Sequence, residues 1–290
     1  MQEGCYNNLH MPELPEVETI RQGLEKYLVG KKIIGVKLKG FILPPSQLSH
    51  LEGGRTVAVK RFGKGLVIDL NNKYSLAIHI KLTGQFIYKG PETENITPSK
   101  KLVGLVPSKF TRIIFKLDKN AFLYFNDVRK FAWVKVVKTD EVKNLPFFKG
   151  LGPEPFRDLR FEHFKRVVQK SKGAVKAVLM DQKKIGGVGN IYANDALNLA
   201  RVDPRRKGSG LDNKEIEKLY ETIHEVLKRG LKYGGATELN YVNALGQSGK
   251  YQEHFLTYGR QGQKCYNCGG TIKKIFLAGR GTYFCEDCQK

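Results

Sequence analysis

The eight residues from Met11 to Glu18, MPELPEVE, carry the groups best suited to covalent chemistry. If the working chain begins at Pro12, its nitrogen is a free secondary amine, and Glu13 lies beside it in the chain. A free α-amine has a pKa near 7.7–8.0, so part of it is neutral and nucleophilic at pH 7. If Met1 is the start, that nitrogen belongs to a tertiary amide and is no nucleophile. We expect residues 1–11 to be an extension or a mis-called start.

Four cysteines near the end of the chain form two CxxC pairs, Cys265/Cys268 and Cys285/Cys288. Each pair can place two thiolates on one tight turn, and the hairpin between the pairs can bring them around one tetrahedral ion. This spacing predicts one structural Zn²⁺; a redox pair and an iron–sulfur site are the alternatives. The basic residues Lys273, Lys274 and Arg280 on the hairpin suit a DNA groove, although a solvated face would carry them equally well.

The glycine-rich segment Gly186–Asn190 precedes a predicted helix that starts at Ile191. Glycines before a helix let backbone N–H groups approach an anion, and the helix dipole favours phosphate there. The segment is neither GxGxxG nor a P-loop, so a nucleotide-binding fold is not indicated. It therefore predicts either a clamp on a DNA phosphate, with Asn190 at its end, or a plain turn.

Cations and aromatic residues also follow predicted strands. Lys64 lies in a tight turn and His79 at a strand end, where each could be an ordinary surface or hydrogen-bonded residue. Arg129 and Phe131 are two residues apart and project to one side of an extended segment. Such a pair could enter a duplex in place of an extruded base, although Phe131 could also be a core residue. Trp133 we interpret as core.

The composition indicates a polyanionic partner. Lys and Arg number 50 against 28 acids in 290 residues, giving a formal charge of +22 and a pI near 9.7. Nucleic acid is the usual partner of so basic a chain, and a merely basic or ribosome-associated protein is the alternative. No apolar run is long enough to span a membrane, and residues 1–10 lack the features of a signal peptide. We expect a cytoplasmic, nucleoid-associated monomer in a reducing compartment.

The pattern of elements predicts an α+β fold. An amphipathic helix opens at Pro15 and stops at Gly30, and eight short β-rich segments follow between residues 32 and 137, which suggests a β-sandwich. Helical patterns then lie at 161–170, 174–181, 191–199 and 214–233, the last with a capping box from Asp212 to Glu215. The predicted domains are a catalytic sandwich at 12–142, a linker at 143–157, a helical domain at 158–257 and a zinc finger at 258–290.

Five motifs in order resemble the formamidopyrimidine-DNA glycosylase family, which also contains endonuclease VIII: PELPEVE at Pro12, LGPEP at Leu151, GVGNIYA at Gly187, YGRQGQKC at Tyr258 and the zinc ribbon. The resemblance covers essentially the whole chain after the leader. It implies a β-sandwich with a leading helix, a helical helix–two-turn–helix (H2TH) domain and a zinc-finger β-hairpin. The implied activity is excision of oxidised purines from double-stranded DNA, with cleavage of the strand at abasic sites.

The resemblance also implies roles for individual residues. Pro12 would attack C1′ and form a Schiff base, and Glu13 would transfer protons; Lys64 and Arg280 complete the implied catalytic set. Lys64, Arg280, His79 and Asn190 match the positions that grip phosphates, while Leu82, Arg129 and Phe131 match those that fill the gap left by the flipped base. Cys265, Cys268, Cys285 and Cys288 would bind the zinc ion.

The sequence departs from the family pattern at several positions. Leu82 stands where Met is common and Val128 where Pro is usual, which predicts altered opposite-base tolerance and a less rigid loop. The segment Gly234–Leu256 is long enough for the loop that covers oxidised purines, although its sequence is atypical. The alternatives are an enzyme for oxidised pyrimidines of the endonuclease VIII kind, a catalytically silent binder of damaged DNA if residues 1–11 are retained, and an RNA-binding zinc-ribbon protein.

Overall fold

The computed structural model describes residues 11–103 and 106–290. Met1–His10, Cys5 among them, lie outside the described residues, and so does most of the predicted extension. The chain divides into two compact units, which we call the sandwich unit and the helical unit. The sandwich unit comprises residues 15–149 and 233–252. Within the described residues, the helical unit comprises 11–14, 150–232 and 253–290.

The sandwich unit contains two four-stranded antiparallel sheets. The first sheet has the order β1–β6–β7–β5 and the second β2–β3–β4–β8. The eight strands confirm the predicted series: β1 (Ile33–Leu38), β2 (Thr56–Phe62), β3 (Gly65–Leu70), β4 (Tyr74–His79), β5 (Gly84–Lys89), β6 (Thr111–Leu117), β7 (Ala121–Asp127) and β8 (Trp133–Lys138). A short helix, α2 (Pro45–Leu48), lies between β1 and β2.

Side chains from both sheets and from the leading helix share one core. Helix α1 (Leu14–Leu28) buries Val17, Ile20 and Leu24, whose spacing of three and four residues places them on one face. The helix stops before Gly30, which takes φ +85, as a residue without a Cβ can do at little cost. The α+β prediction with a leading helix and a sandwich is therefore confirmed.

Two further segments pack on the sandwich. Residues 139–149, which we call the strap, form a 3₁₀ helix (Thr139–Asn144) and α3 (Pro146–Lys149), and the 3₁₀ helix contacts β4 and β8. Residues 233–252 lie along β5, where Ala244 accepts a hydrogen bond from the backbone N–H of Tyr88 (2.8 Å). Gln247 and Ser248 of this segment are exposed. Part of the predicted linker and most of the predicted covering loop thus belong to the sandwich unit.

The helical unit contains four α-helices and a β-ribbon. Its helices are α4 (Phe161–Gln169), α5 (Val175–Met180), α6 (Asn190–Ala200) and α7 (Asn213–Lys232), and the ribbon pairs β9 (Ile272–Leu277) with β10 (Arg280–Cys285). The predicted capping box of α7 is confirmed: Asp212 accepts from the N–H of Glu215 (2.8 Å), and Glu215 accepts from that of Asp212 (2.9 Å). Among the described residues, no helix is both long and apolar enough to cross a membrane.

Candidate functional site

Glu13 is buried in the helical unit at the amino end of α6. Its side chain is 1% exposed, and Oε1 accepts a hydrogen bond from the backbone N–H of Ile191 (2.9 Å). Gly189 precedes the helix and supplies no capping side chain, so Glu13 satisfies an N–H that the helix leaves unpaired. The helix dipole stabilises a carboxylate at this position. The chain therefore fixes Glu13 next to the buried Pro12.

The glycines before α6 make room for this arrangement. A Cβ at Gly189 would lie 2.6 Å from Oε1 of Glu13, and one at Gly187 would lie 2.7 Å from Cδ1 of Leu14. Gly187 also accepts a hydrogen bond from the N–H of Leu14 (3.1 Å). All four residues from Gly186 to Gly189 are buried. The glycine-rich segment thus makes room for Glu13 and Leu14, a role that the sequence did not reveal.

Helix α6 holds the ribbon through three asparagines spaced four residues apart. Asn190 Nδ2 donates to the carbonyl of Gly281 (3.1 Å), and Asn194 Oδ1 accepts from the N–H of Tyr283 (3.0 Å). Asn198 Nδ2 donates to Oε1 of Gln289 (2.9 Å), which also accepts from the N–H of Cys285. Four helical residues rise about 6.0 Å and two strand residues about 6.8 Å, so the two spacings match. The predicted Asn190 is therefore bonded to the ribbon.

Arg280 lies exposed at the turn between β9 and β10. The two turn residues, Ala278 and Gly279, have φ values of +51 and +70, the signs that a two-residue type I′ hairpin needs. Behind the turn, Lys176 of α5 is 1% exposed, and its Nζ donates to the carbonyl of Gly281 (3.1 Å) and to Oγ1 of Thr282 (2.6 Å). The hairpin that carries Arg280 is thus fixed from two helices.

The pKa of Lys176 lies well below the ordinary value for a lysine. Burial lowers the pKa of Lys176 to about 7, the nearby charge of Glu13 opposes that shift, and Arg280 adds to it. Lys176 therefore titrates near neutral pH, and its charge depends on two residues that were already predicted to be catalytic. No sequence motif marks this lysine; its one signal is a cation within the apolar helix Val175–Met180.

The four cysteines bring their sulfur atoms close enough together to bind one metal ion. Their sulfur atoms all lie within 4.8 Å of one another, with Cys265–Cys288 at 3.7 Å and Cys268–Cys285 at 3.5 Å. A tetrahedral Zn²⁺ with Zn–S bonds of about 2.3 Å requires sulfur separations of roughly 3.8 Å, so the residues fit the ion. The ribbon holds one structural zinc, and no solvent-derived ligand is needed to complete its coordination.

Replacing Cys268 should unfold the ribbon. In Cys268→Ser the zinc site loses one thiolate, and the two-stranded ribbon loses the metal that supplies much of its folding free energy. Because Arg280 lies on that ribbon, we expect affinity for abasic-site duplex DNA to fall by roughly 10–100-fold, as for a lost charge-assisted hydrogen bond. Zinc content, melting temperature and Kd measure the effect. Thr271→Ser, at an exposed position between the two cysteine pairs, is the control, and full zinc occupancy with unchanged Kd in Cys268→Ser would contradict the prediction.

Lys64 and His79 lie in the sandwich unit and are both buried, at 6% and 2% exposure. Lys64 follows Gly63 in the two-residue turn between β2 and β3, where Gly63 takes φ +56. His79 Nδ1 accepts the backbone N–H of Lys81 (3.0 Å). Burial, with smaller contributions from Lys81 and Lys64, lowers the pKa of His79 to about 3. The predicted phosphate-binding histidine is therefore neutral at neutral pH.

Leu82, Arg129 and Phe131 lie on two loops that are tied together. Thr83 donates its hydroxyl to Asp127 and accepts the backbone N–H of Arg129 (3.0 Å). The Arg129 guanidinium lies 4.7 Å from the centre of the Phe131 ring, which is 54% exposed, so Phe131 is not a core residue. Leu82 is partly exposed beside Thr83. The structure thus brings the arginine and the phenyl ring together, but on a bent segment with Lys130 at φ +57 rather than on the extended one that the sequence predicted.

Aromatic rings surround the Lys64 turn and His79. Trp133, which the sequence suggested to be core, is only partly buried and lies 6.1 Å from His79 between ring centres. Phe147 and Phe148 of α3 complete the group together with Phe62. Sequence reasoning missed both α3 phenyl rings, because they fall in a segment whose Pro and Gly content is typical of a linker.

Three family models match the chain in order. The formamidopyrimidine-DNA glycosylase N-terminal domain matches residues 11–134, and the H2TH domain of the same glycosylases matches residues 151–240. A zinc finger found in FPG and IleRS matches residues 262–290. The matched segments correspond to the β-sandwich, the helices and the ribbon described above.

Full-length relatives and solved structures agree with these matches. The chain is 36% identical to a formamidopyrimidine-DNA glycosylase from Pelotomaculum thermopropionicum, over 97% of this chain and 99% of that protein. A Rickettsia africae enzyme of the same name is 37% identical over 96% and 99%. The Lactococcus lactis Fpg in complex with abasic-site DNA superposes with a TM-score of 0.83 at 33% identity, covering 96% of this chain and 99% of that one.

Proposed function

The chain belongs to the formamidopyrimidine-DNA glycosylase family, and we propose that it excises oxidised purines from duplex DNA through the amine of Pro12. It is a DNA glycosylase of base excision repair, with one zinc ion and with DNA containing oxidised bases or abasic sites as its substrate. The position of Glu13 is the observation that supports the Pro12 proposal. A buried carboxylate held by the N–H of Ile191 is the immediate chain neighbour of the proposed nucleophile.

The proposed reaction uses the Pro12 nitrogen as nucleophile. Its lone pair attacks C1′, the bond from C1′ to the base breaks, and the base leaves with the electron pair and takes up a proton. The Glu13 carboxylate takes up the proton that the attacking amine loses and passes it to the sugar oxygen as the ring opens, which leaves an iminium cation joining Pro12 to C1′. The iminium acts as an electron sink, so loss of a C2′ proton expels the 3′-phosphate. A second elimination expels the 5′-phosphate, and water then releases the amine.

This chemistry requires a free amine at Pro12, so we propose that the active form begins there. The match to the N-terminal family model starts at residue 11, which supports this boundary. Met11 would then be the initiator methionine, and its removal, which a small following residue such as Pro12 permits, would leave the free amine. In a chain that retains residues 1–11, the lone pair of the Pro12 nitrogen is delocalised into an amide, and the protein would bind damaged DNA without cutting it.

We assign the remaining predicted residues to DNA binding. Lys64 and His79 in the sandwich unit, and Asn190 and Arg280 in the helical unit, would bind backbone phosphates. Leu82, Arg129 and Phe131 would occupy the space of the extruded base, as supported by the exposed ring of Phe131 and its contact with Arg129. The formal charge of +22 provides the long-range attraction to the duplex.

The choice of oxidised purines rests on the residue 233–252 segment, whose exposed Gln247 and Ser248 suit contact with a base. Oxidised pyrimidines are the second candidate, because an L. lactis Fpg structure holds DNA with an oxidised pyrimidine. The test incubates protein beginning at Pro12 with duplexes that carry 8-oxoguanine, an oxidised pyrimidine or no lesion, and identifies released bases by mass spectrometry. We expect 8-oxoguanine to be released fastest. Faster release of the pyrimidine would reverse the assignment, and release of neither would refute the function.

A further inference from the structure

We infer that Phe147 and Phe148 of the strap are positioning residues for the Lys64 turn and for His79. This inference rests on the proposed function, in which Lys64 and His79 bind phosphate. The strap lies between the second sheet and the helical part of the sequence, where the composition alone indicates only a connection. All the residues concerned belong to the sandwich unit.

Phe147 contacts both groups. Its ring meets that of His79 edge to face, with centres 4.6 Å apart and an interplanar angle of 82°. A Cβ at Gly65, the residue after Lys64, would lie 2.7 Å from Cε1 of Phe147 and 2.9 Å from Cε1 of Phe148. The two rings are therefore packed directly on the backbone of the turn. A side chain at position 65 would therefore force the two rings to move.

Phe148 extends the contact to the strand before the turn. Its ring meets Phe62 at 5.9 Å and 82°, while Phe147 and Phe148 meet each other at 5.0 Å and 84°. Trp133 of β8 closes the group, 5.9 Å from Phe147. The strap thus restrains the turn through both rings and the histidine through Phe147.

The backbone N–H of Lys81 determines which ring nitrogen of His79 carries the proton. Nδ1 accepts the N–H of Lys81, so the neutral ring carries its proton on Nε2. The charged groups that face the ring are Lys64 from the β2–β3 turn and Lys81 from the following loop. Strand β8 and α3 present the rings of Trp133 and Phe147, and Lys135 lies 6.0 Å from the Trp133 ring. His79 is therefore available as an uncharged Nε2–H donor of fixed orientation.

Removing the Phe147 ring should release this constraint. In Phe147→Ala, water reaches His79, the desolvation that lowers its pKa is relieved, and the pKa rises from about 3 towards the ordinary value near 6.5. The protonated ring then binds phosphate more strongly than the neutral one. His79 should therefore make the affinity of this variant for DNA fall as the pH rises through the new pKa, a contribution that His79 of the wild-type protein does not make in that range.

The experiment measures Kd for a duplex carrying a tetrahydrofuran abasic-site analogue between pH 5 and 8, and follows the His79 ring nitrogens by ¹⁵N NMR. For the wild type we expect the Nε2–H tautomer throughout, with no His79 titration. For Phe147→Ala we expect His79 to titrate. We also expect this variant to bind the duplex roughly tenfold more weakly at pH 8 than at pH 5, about the loss of one charge-assisted hydrogen bond. Phe147→Leu retains apolar cover and should restore the neutral ring.

Phe161→Ala is the matched control, because it removes a partly exposed ring that packs on Tyr220 in the helical unit (5.5 Å). Its DNA affinity should show no new pH dependence. A wild-type His79 that titrates near pH 6.5 would overturn the inference, as would a Phe147→Ala protein whose His79 stays neutral. If Phe147→Ala does not fold, the inference is judged by whether His79 is a neutral Nε2–H ring in the wild-type and Phe147→Leu spectra. If the wild-type protein binds the tetrahydrofuran duplex no more tightly than an unmodified duplex, the proposed function is refuted instead.

Discussion

Protein that begins at Pro12 should form a covalent adduct with abasic-site DNA in the presence of borohydride, and the 290-residue chain should form none at that residue. At pH 7.5 about a third of an α-amine with a pKa near 7.8 is neutral and able to attack C1′. In the longer chain, the amide at Pro12 removes the lone pair completely. The expected difference is therefore the presence or absence of the reaction, the largest effect predicted for this protein.

The two forms can be made by starting translation at Met11 or at Met1, and intact mass establishes the first residue of each. Both forms should be compared for zinc content and for affinity to a non-reactive abasic analogue, so that a binding defect is not mistaken for a missing nucleophile. Pro12→Gly in the short form keeps an amine but makes it primary and less restrained. We expect this variant to form the adduct more slowly.

An adduct with the long chain would assign the chemistry to another amine. Lys176 is the first candidate, because burial lowers its pKa to about 7 and leaves part of it neutral at working pH. Its two hydrogen bonds to Gly281 and Thr282 would have to break first. Peptide mapping of the trapped adduct separates Pro12 from Lys176.

The sequence was most informative where local rules determine the structure. The eight strands, the stop at Gly30 and the capping box from Asp212 to Glu215 follow from alternation, glycine geometry and caps, which act over a few residues. The cysteine pairs predicted the zinc site for the same reason, because the spacing within each pair already fixes two of the ligands.

Contacts between distant segments were not predictable in this way. Nothing near Glu13 in the sequence indicates that it caps a helix starting at Asn190, and nothing near His79 indicates a phenyl ring from α3. His79 illustrates the physical consequence: a strand-end histidine looks exposed, yet burial against Phe147 and Trp133 makes it a neutral donor. One signal could have been found, since Asn190, Asn194 and Asn198 repeat at four-residue spacing on one face of α6.

Glu13→Gln should abolish most base excision while leaving DNA binding nearly intact. Gln keeps the size of Glu13 and an oxygen that can accept the N–H of Ile191, so the cap of α6 survives. It cannot donate a proton to the sugar oxygen as the ring opens. General acid catalysis by one side chain contributes about 10²–10⁴-fold, and the excision rate should fall by that factor.

The measurements are single-turnover release of 8-oxoguanine, Kd for the tetrahydrofuran duplex, and melting temperature. Glu13→Ala loses the cap as well, and should be less stable by about 1 kcal/mol, so the Gln variant isolates the chemical role. Asp195→Asn is the matched control, because it also replaces a buried carboxylate, in this case one on α6 itself. Asp195 Oδ1 accepts the N–H of Thr257 (3.0 Å), and we expect the Asn variant to retain excision.

The charge of Lys176 gives a second readout of the same substitution. Because the Glu13 carboxylate raises the pKa of Lys176, its removal should lower that pKa further below about 7, so that Lys176 becomes neutral at lower pH than in the wild type. A Gln variant that shows this shift and still excises 8-oxoguanine at the wild-type rate would place Glu13 beside the reaction without a part in proton transfer. Loss of excision with the shift, unchanged affinity and an unchanged melting temperature would identify Glu13 as the acid.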